Sequence, residues 1–91
     1  MDVKVKNILW FNKGSSDKIW GLVDRGPDTF SFWCKRGKTI NVSKFNGGAM
    51  DMVMKKESKG YRRITDDKLL GIDPTFRDRL IDAIVLGLLK G

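Results

Sequence analysis

The sequence predicts an α+β fold: a small antiparallel sheet of about four strands, a helix packed on it, and a further helix at the C-terminal end. Three observations lead there. Residues 3–42 alternate in the manner of strands and are broken by glycine- and proline-bearing turns. The apolar period changes to that of a helix after Phe45. The most sustained helical pattern comes last, over residues 75–89. Ninety-one residues support one modest core. Residues 1–64 are therefore read as a basic sheet-and-helix module and residues 65–91 as a helical extension of the same domain.

Residues 3–11 make the first expected strand, with Val3, Val5, Leu9 and Phe11 on one side and Lys4, Lys6, Ile8 and Trp10 on the other. Asn12-Lys13-Gly14-Ser15-Ser16-Asp17 is a turn by composition. A second strand over residues 18–24 sets Ile19, Gly21 and Val23 against Trp20 and Leu22. Arg25-Gly26-Pro27-Asp28 is the next turn. The stretch that organises the chain follows, at residues 30–38. Successive Cβ atoms of a strand point to opposite faces. Phe30, Phe32 and Cys34 then share a core face, while Thr29, Ser31, Trp33 and Lys35 share the other. Gly37-Lys38 turns the chain into a short fourth strand at residues 39–42, rich in β-branched side chains.

Asn46-Gly47-Gly48 breaks the pattern, and residues 49–58 read as a helix whose stripe of Ala49, Met50, Val53 and Met54 faces the sheet. Gly60 suits the left-handed position just past a helix end. Residues 61–64 return as an extended segment, with Tyr61 and Arg63 on one face and Arg62 and Ile64 on the other. Residues 66–71 suggest a brief helical turn. Asp73 and Pro74 are apt as N-cap and first residue of the last helix. Its stripe is Phe76, Leu80, Ala83, Ile84 and Leu88, widened by Ile81, Val85 and Leu89. A helix so apolar is either wedged into the core or packed on another copy.

Charge narrows the function. The chain carries a formal +7, and the excess is confined to one third of it. Between Trp33 and Arg63 stand nine cations (Lys35, Arg36, Lys38, Lys44, Lys55, Lys56, Lys59, Arg62 and Arg63) and two acids, Asp51 and Glu57. Outside that window nine cations meet nine acids. Such a confined excess is the footprint of a polyanion-binding surface. Trp33 and Tyr61 lie inside it, able to stack on a base or sugar while the cations hold phosphates. The plainer alternative has Trp33 packed under the following helix, with the cations as a solvated rim and the lysines at residues 55–59 answering the helix dipole.

No catalytic constellation stands out, and an enzyme is not expected. There is no histidine to act as a base near neutrality. Asp66 and Asp67 are adjacent and read as a helix start. Cys34 falls on the buried face and reads as a small core residue. One cysteine and no histidine argue against a metal site, and no cofactor is expected. No apolar run approaches the ~20 residues of a membrane span. The first residues lack the apolar core of a signal peptide. Cytoplasmic residence is the default expectation, nucleoid-associated or nuclear if the protein is DNA-bound.

Trp33-Cys34-Lys35-Arg36-Gly37-Lys38 resembles the Trp-Gly-Arg-X-Gly signature of WGR domains, with Cys34 at the motif glycine and Lys35 at its arginine. Lys18-Ile19-Trp20 precedes it, and Lys56, Lys59, Gly60 and Tyr61 are similar to the family's Lys-X-X-Lys-Gly-Tyr ending. The resemblance covers roughly residues 3–64. It implies a twisted antiparallel sheet with a packed helix, and nucleic-acid binding in which Trp33 stacks and Lys35 meets phosphate. Lysine replaces a bidentate fork with a point charge. Two expectations result. The first is a non-enzymatic nucleic-acid-binding accessory protein, DNA ahead of RNA, using the nine cations with Trp33 and Tyr61. The second is a protein-interaction adaptor or inhibitor, docking through the basic face or forming a homodimer through the helix at residues 75–89.

Overall fold

The computed structural model describes the backbone of residues 3–90 and the side chains of residues 3–87. In chain order the elements are β1 (Lys4–Lys13), β2 (Ser16–Arg25), β3 (Asp28–Lys35), β4 (Asn41–Lys44), α1 (Ala49–Ser58), β5 (Arg62–Arg63), α2 (Asp66–Ile72) and α3 (Phe76–Lys90). The strands form one antiparallel sheet in the order β4-β3-β2-β1-β5. The α+β reading therefore holds, with a fifth strand where an extended segment was expected. The two central hairpins are tight for a simple reason. Gly14 and Gly26 lead two-residue turns at φ +58°, and the residues after them keep negative φ. That is the pattern of type II′ turns, whose twist matches that of the strands they join.

Both faces of the sheet are covered. On one, Ile8, Ile19, Val23, Phe30, Phe32 and Cys34 pack against Leu69 of α2 and Phe76, Leu80 and Ile84 of α3. On the other, Leu9, Trp20 and Leu22 pack against Val53, Ala49 and Met52 of α1. Gly21 lies in the middle of β2, where a Cβ would run into the Asn7 carbonyl and the Phe32 ring. Phe32 is fully buried and its ring meets Phe76 at 5.6 Å between centroids, so it depends on that space.

Four expectations need correction. A register shift between Val5 and Asn7 turns β1 over, so Val3 and Val5 join Ile8 and Trp10 on the α3 side while Leu9 faces α1. An extra residue in one strand moves every later side chain to the opposite face. The fourth strand begins at Asn41, not at residue 39, because the preceding loop is held elsewhere. The Arg36 amide donates to the Asp17 carbonyl at 2.9 Å, Arg79 donates to the Lys38 carbonyl at 2.7 Å, and Ile40 is buried. Helix α1 is rolled relative to the expected stripe: Ala49, Met52, Val53 and Lys56 face the sheet, and Met50 and Met54 are 62% and 60% exposed. Asp73, expected as an N-cap, instead closes α2, its amide donating to the Leu69 carbonyl at 2.8 Å. Its buried carboxylate pairs with Arg79 and accepts from Thr75.

The last helix is wedged into the core. Phe76, Leu80 and Ile84 are each 1% exposed, and Ala83 packs beside them. Leu88 and Leu89 lie outside the described side chains. Because α3 shares its core with β1–β3, the extension and the sheet should unfold together. Phe76→Ala is expected to cost about 3–5 kcal/mol, read from urea unfolding as a single transition at lower midpoint. Two separate transitions would show that residues 65–91 fold apart from the sheet.

Candidate nucleic-acid interface

Strand pairing builds the site. In the β2–β3 hairpin Lys18 is directly opposite Lys35, and Trp20 directly opposite Trp33. All four side chains are therefore on the sheet face that α1 partly covers. The helix contributes Lys56, and the chain leaving it contributes Tyr61, whose ring lies 5.2 Å from that of Phe11. A cleft of about 490 Å³ opens between them, lined by Lys18, Trp20, Trp33, Lys35, Asn41, Lys56 and Tyr61. Trp20 is buried as its floor, whereas Trp33 remains 41% exposed. Asn41 Nδ2 donates to the Trp33 carbonyl at 3.3 Å and ties the indole-bearing strand to β4.

The electrostatics of the cleft are one-sided. The Lys56 ammonium lies 5.6 Å from the centre of the Trp20 ring and 5.3 Å from that of Tyr61. Burial, followed by the neighbouring Lys59 and Lys18, pulls its pKa below the ordinary lysine value. Burial likewise pushes the Tyr61 hydroxyl up, so this tyrosine is neutral. Among the described residues no carboxylate forms an ion pair with Lys18, Lys35 or Lys56. The acids of these elements that form ion pairs hold other cations. Asp17 holds Arg36 Nε at 2.8 Å and accepts from the Trp10 indole at 2.6 Å. Asp28 holds Lys44 at 3.5 Å, and Glu57 holds Arg63 at 3.2 Å.

Of the eleven residues expected from the sequence, Trp33, Lys35, Lys56 and Tyr61 meet in the cleft. Arg36, Lys44 and Arg63 carry the acid partners just named. Arg62 pairs with Trp10 in the register and so lies on the opposite face of the sheet. Lys38 sits in the loop before β4, while Lys55 and Lys59 flank Lys56 at the same end of α1 but are exposed and do not line the cleft. Lys18, Trp20 and Asn41 were not expected in the site. The signal for the first two was present: Lys18 and Trp20 lie as far before the Gly26-Pro27 turn as Lys35 and Trp33 lie after it. Asn41 carries no comparable signal.

Cys34 points the other way, into the α3 core, where burial raises its thiol pKa to about 11, partly offset by Arg79. A neutral thiol is a poor nucleophile. Among the described residues no three His, Cys, Asp or Glu side chains gather as a metal site requires, and no helix is long and apolar enough to cross a membrane.

The depressed pKa of Lys56 has a definite sign in stability. The unfolded chain holds this proton to about 10.5 while the folded chain releases it earlier, so the penalty is present below the folded pKa and fades as pH rises towards the unfolded value. Urea unfolding of the protein and of Lys56→Gln across the alkaline range should show wild type gaining on the variant with rising pH. A constant difference would mean that Lys56 titrates like a free lysine.

Compared with known protein families, with curated proteins and with solved structures, the chain shows no match.

Proposed function

We propose that this protein is a non-enzymatic, WGR-like nucleic-acid-binding module, with DNA ahead of RNA as its ligand. The observation that carries the reading is the cleft itself: three lysines with no carboxylate partner among the described residues surround an exposed indole, while Arg36 and Arg63 are neutralised within the fold. A polyanion with flat, apolar faces supplies what that surface lacks. Phosphate answers Lys18, Lys35 and Lys56, and a base or sugar covers Trp33. The likeness of Trp33–Lys38 and Lys56–Tyr61 to WGR domains points in the same direction.

Stacking and charge here work without a base-reading element, so the reading implies little sequence preference. A partner protein docking on the apolar last helix is less well supported, because Phe76, Leu80 and Ile84 are buried against the sheet.

Three phosphate contacts predict a roughly 20- to 40-fold loss of affinity between about 50 and 200 mM salt. Fluorescence titration with oligonucleotides reads this directly, and salt-independent binding would contradict the proposal. Trp33→Ala, checked for native circular dichroism, should weaken binding by about 1–3 kcal/mol. Undiminished affinity would remove Trp33 from the interface.

A further inference from the structure

A second basin adjoins the cleft at the end of the sheet. It has a volume of about 440 Å³ and is lined by Ser15 of the β1–β2 turn, by Ser16 at the start of β2 and by Arg36 and Lys38 from the loop after β3. Lys18 and Lys35 line both basins and form the sill between them. Asp17 also borders the second basin, but its carboxylate is taken by Arg36 and the Trp10 indole. The shelf therefore offers hydroxyls and cations, with its one acid already neutralised.

We infer that the ligand is an unpaired strand, one base entering the cleft against Trp33 while the adjoining phosphates cross Lys18 and Lys35 onto the shelf. This rests on the nucleic-acid reading above and names the strand class and its path. Three features carry it. A base inside a duplex has both faces covered by its neighbours, so an indole can stack only on a base that is unpaired, terminal or extruded. The cleft is of the size that holds a small ligand, and is walled by α1 on one side. Finally, Lys18 and Lys35 are cross-strand neighbours of like charge, an arrangement that destabilises a sheet. A phosphate between them relieves that repulsion, which places the backbone of the strand at the sill.

The test uses the full chain in fluorescence anisotropy at one fixed low salt, with a dT 12-mer, a U 12-mer and a blunt 12-bp DNA duplex. Either single strand should bind about tenfold more tightly than the duplex, the worth of one stacked base. Lys38→Gln, whose backbone carbonyl still accepts from Arg79, should reduce the salt slope on the 12-mer by about 0.7. Arg62→Gln, across the sheet, should leave that slope unchanged. Blunt duplex bound equally or better would overturn the strand class while sparing the nucleic-acid reading. Equal effects of Lys38→Gln and Arg62→Gln would overturn the path. Binding to none of the three, or displacement of the strand by poly-glutamate at equal charge, would overturn both readings.

Discussion

The pairing of β2 with β3 across the Gly26-Pro27 turn is the constraint on which the rest depends. With the turn fixed at two residues, one register follows, and it sorts the hairpin into two chemically opposite faces. Ile19, Val23, Phe30, Phe32 and Cys34 go to the larger core. Lys18, Trp20, Trp33 and Lys35 go to the other side. A slip of one residue would bring lysine into the core and phenylalanine into solvent. The hydrophobic burial that stabilises the domain is thus also what holds the cleft residues in place.

The two covering layers do different work. Helix α3 completes the core, and Arg79, clasped by the buried Asp73, reaches across to the Lys38 carbonyl. That bond fixes the loop after β3, which is also a wall of the basic shelf. Helix α1 covers only part of the opposite face. Its last turns carry Lys56 over Trp20 and Tyr61, with the ammonium near both rings.

Much of this was legible in the sequence. Alternation placed Phe30, Phe32 and Cys34 together and set Trp33 apart with Lys35, because a strand's period is short and strict. The period change after Phe45 located α1, and the apolar run after Pro74 located α3. The misses have physical causes. The register shift at Val5–Asn7 has no compositional mark, so the faces of β1 were read without it. The roll of α1 depends on the sheet beneath it: Met52 packs on the cluster of Leu9, Trp20 and Leu22, Lys56 lies over aromatic rings, and Met50 and Met54, equally apolar on paper, are left outside. Counting charges along the chain found the basic third but could not say which cations a carboxylate would neutralise. Asp17, distant in sequence from Arg36, removes that arginine from the free set through a contact made only on folding.

The central claim is that the free charge and the exposed indole define one working face of the sheet. Amide and indole ¹H–¹⁵N spectra recorded during titration with a short oligonucleotide test it most directly. The account predicts that the Trp33 indole and the amides around Lys18, Lys35 and Lys56 shift together, while those of Leu80 and Ile84 stay in place. Shifts gathered on α3, with the Trp33 indole unmoved, would contradict it.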